Sequence, residues 1–427
     1  MSDQVTATGA LPSVLDGFDL TDHNAFAASP EGFPHGLFER LRREAPVLRH
    51  PPGRSVDAES FWVLSRHADI AAAAGAPEVF SPQGGGGRAG GGSHLDDMPV
   101  GVYAGVMLPM MDNPRHDLIK DLLTPAATGP VAAAVEKELR GAAAGVVEAA
   151  LDRGTCDLAT DIVQRHTFLG IAVLLGIPAE DRDRLADWAA HSTGLLNRRT
   201  GLPDERAMDA WQGSQEYIGD LLAARRAEPA EDLASVLANG RIAGDGGEAP
   251  LTDHERRVNA QLLLLHGGEQ PRNTFASGLL GLAGHPGQWR AVREDRALLA
   301  PTAEEVLRWA PPNPYNRRTA TRDVRVGGEL IRAGEKVTLW WPSGNRDENV
   351  FPAPSTFDQR RSPNPHLTFG HGGGFCLGGA IARFELRILL DALLDRVAEI
   401  RQAGAVTYQP SNKHTVVLDM PVELIPR

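Results

Sequence analysis

Cysteine is almost missing from this 427-residue chain: only Cys156 and Cys376 occur, far apart in sequence, so no disulfide framework can be read and a reducing compartment fits. Long apolar runs are missing too. The longest candidate, AQLLLLHGG, falls well short of the roughly 20 apolar residues that span a bilayer. The first residues, MSDQVTATGALPSVLDG, lack the apolar centre of a secretory signal. Positive charge is not in excess: 43 Lys and Arg stand against 55 Asp and Glu, a formal net charge of -12. Binding to a phosphate backbone runs on clustered cations, so nucleic acid is not an expected partner. Aromatic residues make up only 6% of the chain, which points to a pocket lined by aliphatic and polar groups. Together these absences predict a cytoplasmic protein with no membrane and no nucleic acid among its partners.

What is present is helix. From about residue 116 to 310 the apolar residues recur at helical spacing, as in AAAVEKELRGAAAGVVEAALDRG and SQEYIGDLLAARRAE. Before this lie a helix over GLFERLRREAPV and a strand–helix pair over SFWVLSRHADIAAAA. After it, RDVRVGGELIRAGEKVTLWWP reads as a hairpin turning on Gly-Gly. The glycine-rich stretch GGGGRAGGGS, residues 84–93, reads as a mobile loop, either a linker or a lid. The pattern predicts a mainly α protein with a small β region. It forms one large domain over residues 16–427 behind a disordered start, residues 1–15.

Cys376 sits in FGHGGGFCLGGAIAR, between glycines at 370, 372, 373, 374, 378 and 379. Glycine removes the Cβ that would hold a large flat ligand away from the backbone. The residues that follow, LGGAIARFELRILLDALLDRV, read as a buried helix starting near Gly378. A cysteine just before a helix N-terminus lies near free N–H groups that favour a thiolate. A thiolate on a haem iron meets all of these features, and a buried structural cysteine in a glycine-rich loop is the simpler alternative. Cys156 has no such context and reads as core.

A second motif is AEEVLRWAPP, where Glu305 and Arg308 stand three apart on one helical face. Arg361, downstream in FDQRRSPNPHLTFG, completes a Glu–Arg–Arg set, and one carboxylate shared by two guanidiniums satisfies the fork geometry of both.

With these residues in view, the chain resembles the cytochrome P450 family of haem-thiolate enzymes, over nearly its whole length. The family pattern Phe-x-x-Gly-x-x-x-Cys-x-Gly is met by Phe369, Gly372, Cys376 and Gly378, with Gly370 in the same loop, and Glu-x-x-Arg by Glu305 and Arg308. The resemblance implies a P450-like fold, haem b as cofactor and Cys376 as its axial ligand. It implies haem-propionate contacts from His116 and Lys120 in MDNPRHDLIKDLL and from Arg318 in RRTATRDVRVGG. It places LLLLHGGEQPRNT on the helix that crosses the oxygen side of the haem.

Two departures from the family pattern matter. Two positions before the cysteine, where a His or Arg usually reaches a propionate, stands Gly374. On the oxygen-side helix the usual Ala-Gly-x-(Glu/Asp)-Thr-Thr reads His266, Gly267, Gly268, Glu269, Gln270, Pro271. In the family the acid and the threonine hydroxyl bring protons to dioxygen; an amide such as Gln270 is a poor proton carrier. Pro271 lacks an N–H and leaves the Gly267 carbonyl without its helical donor, so it should kink or open the helix. His266 reads as proton donor, substrate anchor or sixth iron ligand, or else as a packed side chain outside the pocket.

The resemblance implies insertion of one oxygen atom from O2 into a small organic substrate. Electrons come from NAD(P)H through a ferredoxin reductase and a ferredoxin, which are separate proteins. Glu269, Gln270 and His266 are the expected catalytic residues; Gly267, Pro314, Tyr315 and Asn316 are expected to line the substrate pocket. The loop LDDMPVGVYAGVMLP is expected to act as a lid, and PSNKHTVV to form the far wall. Ala-, Gly- and Arg-rich usage suggests a tailoring enzyme of bacterial secondary metabolism. One alternative is an atypical reaction: peroxide-driven, oxidative coupling, or substrate-assisted. Another is a haem-binding sensor or carrier without turnover.

Overall fold

The computed structural model describes residues 10–427 apart from 56, 194, 195 and 245. Most of the stretch expected to be disordered, residues 1–9, lies outside the described residues. From Leu11 the chain packs onto the body, and Leu15 is fully buried.

Among the described residues the helices that position the site are α1 (His35–Glu44), α2 (Arg115–Thr128), α3 (Pro130–Leu151), α4 (Arg165–Leu174), α5 (Ala179–His191), α6 (Glu205–Ala227), α7 (Asp253–Ala283), α8 (Leu299–Trp309) and α9 (Gly379–Arg396). The longest, α7, starts on a reciprocal cap. Thr252 Oγ1 accepts from the Glu255 N–H at 3.1 Å, and Glu255 Oε2 accepts from the Thr252 N–H at 2.8 Å. The same Glu255 carboxylate takes a bidentate pair from Arg115 at 2.8 and 2.7 Å, which fixes the start of α2 against the start of α7. Asn259, one turn on, bonds the backbone of Val106 and Leu108 and so ties the preceding loop to the same helix. Buried Ile119, Val135, Leu139, Ile171, Ile218 and Leu264 join α2, α3, α4, α6 and α7 in one apolar cluster. A second cluster joins α7, α8 and α9 through Phe275, Leu279, Val306, Leu386 and Leu389.

The β region has two parts. Five strands, β1 (Val47–His50), β2 (Phe61–Leu64), β3 (Phe80–Ser81), β5 (Tyr315–Ala320) and β6 (Lys336–Trp340), lie in the order β1-β2-β6-β5-β3, with only β2 and β6 parallel. Strand β4 (Thr155–Asp157) joins β7 (Val397–Gln402) and β8 (Pro421–Pro426) in a three-stranded sheet, where Cys156 is buried opposite Val422. The Gly-Gly turn forms as the sequence suggests: Val324–Val326 pairs with Glu329–Ile331 across Gly327 and Gly328, both at positive φ.

Two expectations need correction. The glycine-rich stretch is not an open linker. Gly90 and Gly91 pair with Met98 and Pro99, and Arg88 in its middle is clamped by Asp97, Glu59 and the Gly334 carbonyl. Pro271 does not break its helix either, since α7 runs unbroken from Asp253 to Ala283. Pro271 removes the helical donor of the Gly267 carbonyl, and the next carbonyl, that of Gly268, accepts from the Thr167 hydroxyl at 2.9 Å. Among the described residues no helix is long and apolar enough to cross a membrane.

Candidate active site

Cys376 lies two residues before the Gly378 N-cap of α9. Its N–H donates to the Phe369 carbonyl at 2.8 Å and its carbonyl accepts from Gly379 at 3.2 Å, closing a tight loop. Gly370 and Gly372 hold φ of +79° and +67°, a region that L side chains rarely adopt. A Cβ on Gly372 would meet Gly75 Cα at 3.0 Å, while one on Gly373 or Gly374 would meet nothing within 4 Å. The Cys376 side chain keeps accessible surface inside this cradle. Surrounding protein raises the thiol above its ordinary pKa, so burial outweighs the donors counted on from the sequence. The Gly378 N–H and the cations of Lys120 and Arg383 act the other way.

The loop is pinned from three sides. Glu305 and Arg308 are fully buried on α8 and meet side-on, Nε to Oε2 and Nη2 to Oε1, both at 2.7 Å. Arg361 reaches the same carboxylate at 3.2 Å, joined by Asn364 at 3.1 Å and the Asp358 N–H at 2.8 Å. The spare donors of both arginines end on backbone carbonyls, among them Asn345, Pro354, Pro352 and Thr356. Next to it, Glu304 takes a bidentate pair from Arg383 of α9 and lies 3.2 Å from His366 Nε2. These partners hold its carboxyl down to about 2 against the pull of burial. The Arg383 guanidinium also covers the Phe369 ring at 4.7 Å. On the third side Lys120 donates to the Gly373 and Phe375 carbonyls at 2.6 and 2.8 Å.

One turn before Lys120 on α2, His116 lies 2.8 Å from Asp117 through Nδ1. Strand alternation decides which arginine of the Arg317-Arg318 pair joins it. Arg317 points into the core and pairs with Asp97 at 2.7 Å. Arg318 points the other way, donates to the Arg317 carbonyl, and feels Asp112, which His116 also neighbours. Burial lowers Arg318 to about 10.

Across the site, α7 presents His266, Glu269 and Gln270. Glu269 is buried and ion-paired to Arg198 at 2.8 Å, a partner on the segment between α5 and α6 that sequence reading did not supply. The Gln270 side-chain nitrogen is 3.2 Å from His266 Nδ1; with that amide donating, Nδ1 accepts and His266 carries its proton on Nε2. The same nitrogen is 3.4 Å from His414 Nδ1, whose shorter contact, 2.8 Å, is to Asn313 Oδ1. The His414 ring stands 5.9 Å from His266 and 6.1 Å from His94. His94, Asn313, Lys413 and His414 come from three separate loops. The sequence flagged two of those segments but singled out none of these residues.

Of the four expected pocket residues, Tyr315, Pro314 and Gly267 pack elsewhere, while Asn316 bonds Lys413. Tyr315 is core, 1% exposed, its ring 4.9 Å from Trp340 and its carbonyl taken by Lys413. Pro314 is buried, with its carbonyl accepting from Trp341 N–H. The Asn316 amide oxygen is shared between Lys413 and Trp341. Gly267 faces α4, where a Cβ would meet Ile171 Cδ1 at 2.6 Å.

The residues fit a haem. The accessible thiol lies in a loop with open space at Gly373 and Gly374. Arg318, with His116 nearby, supplies cationic and hydrogen-bonding groups suited to propionates, and Gly374 leaves the cysteine side of the site without one more such contact. Comparison with known proteins agrees. The family model described as Cytochrome P450 matches residues 200–398. The chain is 40% identical over 413 residues to a putative cytochrome P450 126 of Mycobacterium tuberculosis (strain CDC 1551 / Oshkosh), spanning 96% of this chain and 98% of that one. It is similar in structure to Mycobacterium marinum cytochrome P450 CYP268A2, solved in complex with pseudoionone: TM-score 0.84, 31% identity, 97% of this chain and 99% of that one. It is similar also to P450 OxyD, involved in the biosynthesis of vancomycin-type antibiotics: TM-score 0.82, 28% identity, 96% of this chain and 100% of that one.

Proposed function

This chain belongs to the cytochrome P450 family of haem-thiolate monooxygenases, and from that premise we propose that it holds haem b through Cys376 and tailors a small organic molecule of secondary metabolism. The observation that carries the assignment is the Cys376 loop, with an accessible thiol at the head of α9 in a cradle pinned by Lys120, Glu304 and Glu305. Its tailoring role is supported by the likeness to OxyD.

When bound, the haem supplies oxygen activation. The overall reaction consumes one O2, two electrons and two protons; one oxygen atom enters a substrate C–H bond and the other leaves as water. The electrons come from NAD(P)H through a ferredoxin reductase and ferredoxin. The protein's own residues do the rest. Arg318 and His116 anchor the propionates, and Lys120 keeps the cysteine loop closed by holding its carbonyls. On the opposite wall Glu269, tied to Arg198, is an acid at the usual place in the family, and His266 presents a proton on Nε2. Gln270 does not carry protons. It fixes the His266 tautomer by donating to Nδ1, a positioning task that an amide does well.

The test is turnover with a ferredoxin system under isotopically labelled dioxygen. A candidate substrate that shifts the Soret band of the ferric protein should yield a product carrying one labelled oxygen atom. Gln270→Leu should lower the rate and the coupling of NADH use to product. Oxygen in the product drawn from water or added peroxide, with none from O2, would overturn the reading.

A further inference from the structure

Three imidazoles meet on the α7 side of the site: His94 from the loop after β3, His266 from α7, and His414 from the segment before β8. The rings are 5.9 and 6.1 Å apart in sequence His266–His414–His94. All three residues are part-buried. The set is not satisfied by its own members, because His94 Nδ1 and Gln270 Oε1 are buried with no hydrogen-bond partner among the described residues. Three of the chain's 14 histidines thus meet in one place.

The surrounding charge has one sign in excess. Arg198 is paired with Glu269 and Arg317 with Asp97. Lys413, next to His414 in sequence, is buried and donates to the Ser93 and Tyr315 carbonyls and to Asn316 Oδ1 at 2.9, 2.7 and 3.2 Å. All three acceptors are uncharged, and among the described residues no carboxylate lies within ion-pair distance of its Nζ. Burial with no counter-ion pushes Lys413 well below its ordinary pKa, and its three acceptors still match the three N–H groups of an ammonium, so an anion in front of it would restore the charge that burial opposes.

We infer that the cluster of His94, His414 and His266 reads an acidic group on the substrate, so that the enzyme takes organic acids and holds them by their carboxylate. This deepens the proposed function and rests on it for the oxidation, but not for the binding. A carboxylate offers two acceptor oxygens to the N–H groups of His94 and His266, with His414 held between them by Asn313, and its charge answers that of Lys413. Recognition of this kind also orients the substrate: with the acid held at the His94–His414 end, the carbon skeleton is left to extend from it along α7.

The experiment is isothermal calorimetry on the ferric holoprotein at pH 7 with hexanoate, decanoate, phenylacetate and cinnamate, each against its methyl ester. One charge-assisted hydrogen bond corresponds to about tenfold in affinity, so at least one acid should bind about tenfold or more tightly than its ester. In His94→Leu and in His414→Leu that preference should fall toward parity, with ester affinity changed by no more than about twofold. The carbon monoxide spectrum of the reduced protein, taken on each sample, reports whether the haem-thiolate assignment holds, independently of the acid preference. If no acid outbinds its ester on the wild-type protein, or if the preference survives in both variants, the inference is wrong even where the spectrum is normal.

Discussion

Replacing Glu305 with glutamine removes one charge and almost no volume, and the structure says where the loss falls. The carboxylate receives both forks of Arg308 at 2.7 Å, Arg361 at 3.2 Å, Asn364 at 3.1 Å and the Asp358 N–H at 2.8 Å, in a site where Glu305 and Arg308 are fully buried. Glutamine leaves two guanidiniums desolvated with no counter-charge and turns one acceptor oxygen into a donor facing them. Breaking one partner of such a buried pair costs about 3–5 kcal/mol, a large part of the roughly 5–15 kcal/mol that holds a typical protein folded. A control comes from α3, where Arg140 and Glu136 meet at 2.6 Å but both are exposed; Glu136→Gln should change stability by about 0.5 kcal/mol or less. Urea unfolding of the holoproteins, followed by circular dichroism and by the fraction of haem retained, separates the two. Glu305→Gln should lower the midpoint markedly and lose haem, while Glu136→Gln should overlay the wild type. Equal, mild effects at both positions would refute the argument that burial rather than contact distance sets the worth of the pair.

Other predictions follow from single contacts. Gly267→Ala should cost about 1–3 kcal/mol by overpacking, because its Cβ meets Ile171 at 2.6 Å, whereas Gly268→Ala, whose Cβ finds its neighbours at 3.4 Å, should be tolerated; thermal unfolding of the pair checks this. Lys120→Met removes the two bonds that close the cysteine loop and should speed haem loss to an apomyoglobin trap with little change in far-UV circular dichroism. Glu304 has a folded pKa of about 2, below its ordinary 4.5, so it contributes stability that is present above pH 4.5 and lost as pH falls toward 2. Glu304→Gln should therefore be less stable than wild type at pH 6, and the gap should narrow through that window in acid titrations of unfolding.

How much of this was legible in the sequence depended on how local the signal was. Arg361 was placed from the segment that leads into the cysteine loop, and the Glu305–Arg308 spacing is a helical i,i+3 relation that could be written from the string. So could the Cys376 loop, where glycine density marks close approach, and the Gly327-Gly328 turn. Tyr315 was misjudged because neighbours on one strand face opposite ways, and only the pairing with β6 shows that the Tyr315 side belongs to the core, while Asn316 shares the side of Arg318. Gly267 was taken for a pocket residue when it makes room for Ile171 of α4. Pro271 was expected to kink or open α7, and the helix is not opened, running unbroken from Asp253 to Ala283. The meeting of His94, His266 and His414 was out of reach, since they are separated by well over a hundred residues and no periodicity links them. The partner of Glu269, Arg198, was hidden for the same reason.

The central claim is that the Cys376 sulfur, as thiolate, ligates the haem iron. Its most direct test is the carbon monoxide difference spectrum of freshly purified, reduced protein, run beside Cys376→Ser. The account predicts a band at about 450 nm in the wild type and none in the variant. A haem-loaded wild-type protein without that band, or a variant that keeps it, would contradict the account.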